Sequence, residues 1–383
     1  MDLQVRQRVA LSAFFFLSGF SFSSWASRIP TIKTAFGFNE AELGTVLLAM
    51  PISSLIGLPF SGWLLTKFDS RVPLSVGFLL HAACLSLIGF ATTTTTLVMA
   101  VCLFSFSMRI LNIAMNTQAI TLQKQFDRKI NGSFHGLWST GGIAGVGFTT
   151  LLVAFNVAIS PHLMAVTFII ILATLFSSRF LLQNDRSTAG NKLRFGKPDP
   201  YILYLGLLVF FAAICEGGMF DWSGIYFKEV LKVDLFTAGY LIFMAFMALS
   251  RFLSDRIIDK IGMPATYMFS AVFIFLGIGL STLFPSFWPA MLGFSLVGFG
   301  TAAVIPMTFT LAGASKKYSP GMAISIIATY GMVGMLIGPP LIGYLAHAFN
   351  LRVSFIAFAF AGFMFIPIST LFFRKEARLA TAG

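Results

Sequence analysis

The sequence predicts an all-α membrane protein with twelve transmembrane helices in two six-helix, pseudo-symmetric bundles. Three observations carry that expectation. Charged residues fill only 10% of the 383 positions, where a soluble domain carries roughly 25%. Hydrophobic residues fill 57%. The apolar positions also gather into runs, each long enough to supply the ~20 residues that cross ~30 Å of hydrocarbon.

In chain order the runs lie near 9–28, 44–65, 72–91, 97–120, 134–156 and 162–182, then 201–225, 235–257, 264–284, 287–313, 321–346 and 351–373. At these lengths they read as helices rather than strands. Arg6 and Arg8 before the first run, with the small Ser24 and Ala26 after it, imitate a signal peptide. Eleven further runs follow, so this one is expected to stay as a span.

One long polar stretch interrupts the series, Gln183 to Pro200 (QNDRSTAGNKLRFGKPDP). Its Gly, Pro and charges read as a linker, which divides the chain into an N-terminal bundle 1–182, a linker 183–200 and a C-terminal bundle 201–383. The halves echo each other at an offset near 195. Trp25 precedes a polar loop and Ala41-Glu42-Leu43-Gly44, as Trp222 precedes a loop and Phe236-Thr237-Ala238-Gly239. Two parallel six-span repeats are the plan of a secondary transporter, whose solute site is expected between the halves at the bilayer midplane.

The net charge of +12 points to topology. The basic residues stand singly between apolar runs rather than on the polar face that nucleic acid requires. An N-terminus inside places twenty of the 26 Lys and Arg inside and leaves Arg28, Lys33, Lys228, Lys232 and Arg352 outside, with Arg109 inside a span. By the positive-inside rule both termini and the linker are cytoplasmic. Cys84, Cys102 and Cys215 all fall within apolar runs, so no disulfide framework or metal site is expected.

Several motifs resemble the major facilitator superfamily, and within it the MosC/YbjJ-like bacterial branch, over essentially the whole chain. They are Trp25-Ala-Ser-Arg28-Ile-Pro30-Thr-Ile-Lys33 leading into Glu42-Leu43-Gly44, Ala114-Met115-Asn116, and His135-Gly-Leu-Trp138-Ser139. In the second half they are Glu216-Gly217 with Asp221-Trp222-Ser223, and Arg251 with Asp255-Arg256. The resemblance implies a proton-coupled, alternating-access transporter in the inner (cytoplasmic) membrane of a bacterium, working as a monomer with a small-molecule substrate and no cofactor.

The superfamily's loop between spans two and three supplies an inner-gate motif, matched here by Lys67, Asp69 and Arg71 and, in the second half, by Arg251, Asp255, Arg256, Asp259 and Lys260. Thr66 stands at that motif's acidic position, which breaks its charge relay in the first half. Span four departs as well, with Asn112 where relatives carry Asp and Arg109 where they carry a small residue.

Candidate functional residues follow from the cost of polarity in hydrocarbon. An ionisable group near mid-span costs about 2.5–3.5 kcal/mol on insertion scales and needs a wet or paired setting. Arg109 is such a group. At 100° per residue Ser105, Arg109, Asn112 and Asn116 form one stripe, expected to line a substrate cavity with Trp138 and Glu216; the alternative is that Arg109 is locked into helix packing. Glu216, some fifteen residues into its span, is the foremost proton-coupling candidate, with Asp221 and His135 behind it. Arg28 and Asp221, at matching outer ends of spans one and seven, are an expected outer gate. His81 is a further titratable candidate, more in keeping with a structural hydrogen bond. Trp25, Trp138 and Trp222 are read as interface anchors or as stacking surfaces for a ring.

No convergent nucleophile, base or metal ligands are present in the pattern an enzyme needs, so the chain is expected not to be an enzyme. The amides favour a sugar-like or cyclitol-like solute and Arg109 a small organic anion. A proton antiporter exporting amphiphiles is an alternative, and a non-transporting sensor or scaffold on the same fold is another.

Overall fold

The computed structural model describes residues 3–126, 130–183, 185, 199–318 and 320–381; most of the expected linker lies outside them. Among the described residues there is no strand, and twelve stretches are long and apolar enough to cross a membrane. The chain forms two compact units, Met1–Gly37 with Ala49–Arg194, and Phe38–Leu48 with Phe195–Gly383.

In the first unit α1 (Leu3–Ala26) runs into a short helix α2 (Ile29–Phe36) where the sequence reads as a polar loop. Pro30 sits in its first turn, where a missing N–H costs nothing, and Gly37 ends it at φ 68°. Then come α3 (Glu40–Lys67), α4 (Arg71–Phe90), α5 (Thr94–Gln123), α6 (Asn131–Ala154) and α7 (Ile159–Ser177). Thr93 and Thr96 cap α5 reciprocally. Asn39 and Glu42 do the same for α3 at 2.9 Å in each direction. Each pair satisfies orphan amides of a helix start.

Small residues set how closely these helices approach. A Cβ added at Gly141 would lie 1.9 Å from the Phe16 carbonyl oxygen, and one at Gly145 2.4 Å from that of Phe20. Backbone therefore packs on backbone along α1 and α6, the small-residue mode of helix association in hydrocarbon.

The second unit holds α8 (Pro200–Ile225), α9 (Thr237–Leu283), α10 (Phe287–Thr301), α11 (Val304–Gly313), α12 (Pro320–Ala348), α13 (Leu351–Ser354), α14 (Ile356–Phe363) and α15 (Phe365–Thr381). α9 contains two spans, broken at Gly262 (φ 80°, ψ 162°), a conformation that suits glycine. The expected run 287–313 divides at Ala302–Ala303 and the run 351–373 at Phe355 and Met364. Pro306 and Pro367 explain two of these breaks, because a proline ring clashes with the carbonyl four residues earlier, here Ala302 and Phe363. The start of α3 belongs to this unit, where a Cβ at Gly343 would come within 2.6 Å of the Glu40 carbonyl oxygen. The Thr45 and Tyr344 hydroxyls meet there at 3.0 Å.

The C-terminal end of α8 is held by an aromatic cluster. The Tyr226 and Phe355 rings lie 4.6 Å apart, and Phe294 stacks on Phe355 at 5.9 Å. Trp222 is wholly buried and donates its indole N–H to the Pro339 carbonyl at 3.2 Å. Trp25 is likewise buried, with its ring 6.1 Å from Phe104. Both indoles therefore serve packing, and the interface-anchor and stacking readings do not describe them. Trp138 is half-buried and lies 6.2 Å from Phe22.

The sequence repeat has a structural counterpart. Ser53 donates to the Cys102 carbonyl at 2.6 Å in the first unit, and Ser250 donates to the Phe299 carbonyl at 2.8 Å in the second. Both members of the pair are shifted by 197 positions.

Candidate substrate and coupling site

In the first unit the polar stripe of α5 lies against α3, and hydrogen bonds stitch the two helices together. Ser105 is buried and gives its proton to the Met50 carbonyl at 2.6 Å. Arg109, one turn further on, donates from Nε to Ser54 Oγ at 2.7 Å. α3 can come this close because Gly57 faces the Arg109 Cβ, where an added methyl would sit at 3.2 Å. Arg109 is half-buried, and no acid pairs with it among the described residues. With Nε engaged, its two terminal nitrogens keep a planar fork that suits a carboxylate or phosphate.

Asn116 donates from Nδ2 to the Asn112 carbonyl at 2.8 Å, with Asn112 Oδ1 at 3.4 Å. The two half-buried amides thus form a local pair along α5. His135, in the first turns of α6, is exposed, its ring edge-on to Phe15 at 5.5 Å.

In the second unit the decisive geometry is on α8 and α9. Arg251 Nη2 lies 3.0 Å from Glu216 Oε1. The Glu216 side chain is 8% exposed and that of Arg251 28%, so the carboxylate is enclosed while the guanidinium keeps an open side. Gly217 and Gly218 follow the acid; a Cβ at Gly218 would collide with Phe358 at 2.3 Å, which is how α8 packs so tightly around it. The sequence motif placed Arg251 near the cytoplasmic turn. Here α9 stays helical to Gly262, eleven residues further on, so Arg251 stands about 16 Å along the helix from the break and faces Glu216 on α8. Asp221, five residues after Glu216, is half-buried on another face of α8.

The α1–α2 junction of the first unit holds a buried cation. Arg28, 3% exposed, donates from Nε to His162 Nδ1 at 3.1 Å and from Nη2 to the Val157 carbonyl at 2.8 Å. An accepting Nδ1 leaves the proton on Nε2, which faces Thr149 Oγ1 at 3.3 Å; that hydroxyl donates to the Gly145 carbonyl at 2.8 Å. His162 carries no motif, and only its place in an otherwise apolar run hinted at a role. His81 is buried between Ser21 Oγ, 2.9 Å from its Nε2, and the Phe104 carbonyl, 3.3 Å from its Nδ1, the structural hydrogen bonding expected of it.

At the loop motif Lys67 is exposed and Asp69 and Arg71 half-buried. Asp185 supplies the acid there instead, accepting from the Ser70 amide at 2.9 Å and from the Ser70 hydroxyl. The adjoining segment is clamped by Gln118, whose amide meets the Leu182 carbonyl at 3.0 Å and the Leu182 N–H at 3.1 Å. In the second half Arg256, Asp259 and Lys260 are exposed on the last turns before Gly262; the Asp255 side chain lies outside the described residues.

The family model described as Major Facilitator Superfamily matches residues 10–315. The chain is a member of the major facilitator superfamily. An uncharacterized MFS-type transporter of Yersinia pestis is 31% identical over 353 residues, covering 92% of this chain and 92% of the relative. The membrane protein MosC of Rhizobium meliloti is 29% identical, covering 94% and 89%. Among solved structures, a bacterial homolog of the human lysosomal transporter Spinster, in an inward-facing and occupied conformation, superposes with a TM-score of 0.75 at 15% identity over 96% of each chain. At that identity the likeness concerns the fold.

Proposed function

We propose that this superfamily member is a secondary active transporter that moves a small organic anion across the bacterial inner membrane by alternating access, coupled to protons through Glu216. The observation that carries the reading is the Arg251–Glu216 pair at 3.0 Å, joining two apolar helices with the acid enclosed. A buried ion pair adds little to stability beyond what a hydrophobic pair of the same volume provides, so its presence between two apolar helices favours a working role. Protonation of Glu216 removes the negative charge that faces Arg251. A carboxylate whose proton occupancy differs between two conformations lets a proton gradient bias their populations.

The solute class rests on Arg109, which has no acid partner among the described residues and shares with Asn112 and Asn116 one stripe of α5. Sugar-like and cyclitol-like solutes would use the amides alone. In proteoliposomes Glu216→Gln, a stand-in for the protonated acid, should keep counterflow exchange and lose accumulation driven by a pH gradient. Undiminished gradient-driven accumulation by that variant would overturn the coupling role.

A further inference from the structure

A cavity of about 260 Å³ lies in the second unit, away from Glu216 and Asp221, between the two arms of α9 and against α10. Ser250, Ser254, Ile257 and Ile261 line it from the first arm. These positions recur at helical spacing, so they form one face. Thr266, Phe269, Ser270 and Phe273 line it from the second arm, and Phe299 and Ala303 from α10 and its end.

Three of its four hydroxyls are already committed. Ser250 donates to the Phe299 carbonyl, Ser254 to that of Arg251 and Thr266 to that of Gly262. What they present to the cavity is hydrocarbon, so the occupant is apolar along this length. The cavity opens outward between side chains with large exposed areas, Ile261 at 38% and Phe269 at 50%, in a stretch of chain that spans the membrane.

Length and charge narrow the occupant further. From Ser250 to Ile261 is eleven residues, about 16 Å at 1.5 Å per residue, which matches one leaflet of a ~30 Å hydrocarbon core. The end nearer the surface lies at the Gly262 break, where Lys260 and Arg256 are exposed and make no ion pair among the described residues. At 100° per residue Lys260 falls within about 60° of Ile257, Arg256 about 40° beyond Lys260 and 100° from Ile257, and Asp259 about 160° from Ile261, so Lys260 borders the groove, Arg256 stacks on the same side one turn back and the acid points away. Basic residues beside a groove between spans recognise anionic lipid headgroups.

We propose that this groove seats one acyl chain of an anionic phospholipid, whose headgroup meets Lys260 and Arg256 at the Gly262 turn. The lipid braces the two arms of α9 and thereby the helix that carries Arg251.

The test uses the full chain in detergent, titrated with dioleoyl phosphatidylglycerol, dioleoyl phosphatidylcholine or decane while its melting temperature is followed. The wild type should half-saturate with phosphatidylglycerol at a concentration at least ten-fold below that for phosphatidylcholine. Ser270→Leu and Ala303→Leu, which fill the groove from opposite walls, should each weaken phosphatidylglycerol binding at least five-fold; if one fails to fold, the other carries the test. The double variant Arg256→Gln, Lys260→Gln should bind both lipids alike. Equal binding of the two lipids by the wild type, unaltered phosphatidylglycerol binding in the folded groove-filling variants, or stabilisation by decane equal to that by phosphatidylglycerol would each overturn the proposal.

Discussion

Arg28 donates its Nε proton to Nδ1 of His162 at 3.1 Å, which makes a buried neutral imidazole the acceptor for a buried cation. The contact fixes the imidazole tautomer and ties the α1–α2 junction to α7. His162→Leu should therefore destabilise the protein by about 1–3 kcal/mol, the cost of leaving a buried donor unsatisfied. His162→Gln, which restores an acceptor, should recover part of that loss. Thermal melting in detergent checks both, and equal melting of wild type and His162→Leu would refute the account.

Helix approach gives a second expectation. Gly141→Ala must push α1 and α6 apart, because the new methyl would stand 1.9 Å from the Phe16 carbonyl oxygen, whereas nothing lies within 4 Å of a Cβ at Gly147. Overpacking of this kind costs about 1–3 kcal/mol. Gly147→Ala should melt as wild type, and Gly141→Ala should melt earlier.

For the ion pair, Arg251→Ala leaves an enclosed carboxylate without its cation, and Glu216→Ala leaves a cation with an open side. The first should be the more harmful, and the double variant should be less destabilised than the sum of the two singles. A double-mutant cycle on melting temperature measures that difference; strict additivity would mean that the pair contributes no coupling.

Removing the Asp185 carboxylate strips the Ser70 amide and hydroxyl at the start of α4 of their acceptor. Asp185→Ala should cost about 0.5–2 kcal/mol, as loss of a helix cap does, and Asp185→Asn less. Urea denaturation of the detergent-solubilised protein would resolve the order.

Orientation is open to direct measurement. In a cysteine-free background, single cysteines at Asn39 and Leu235 should react with an impermeant maleimide added to intact cells, and one at Gly190 should react only after permeabilisation. Rapid labelling at Gly190 in intact cells would reverse the topology.

The sequence displayed the spans well because hydrocarbon imposes a length and forbids charge, and the twelve expected runs correspond to stretches the structure makes helical. Boundaries were less visible. The expected run stops at 257, yet the helix continues to Gly262, which puts Asp259 and Lys260 on helical turns instead of in a loop. The breaks at Ala302 and Met364 were written in Pro306 and Pro367, four and three residues downstream, but Pro51 and Pro59 lie inside α3 without ending it, so proline alone did not announce them. Pairings such as Arg28 with His162 span 134 positions and leave no local pattern to read.

The mirrored serines bear on how the two halves diverged. Ser53 and Ser250 make the same bond to a carbonyl 49 residues further along the chain, the mark of a duplicated ancestral unit. The very next residue differs: Ser54 receives a proton from Arg109, whereas Arg251 holds Glu216. A shared scaffold bond thus adjoins the point where the copies specialised, one keeping its cation on the fourth span of its half, the other acquiring it on the second. Exchanging Ser54 and Arg251 between the halves would ask whether that division of labour resides in single side chains or in the bundles that surround them.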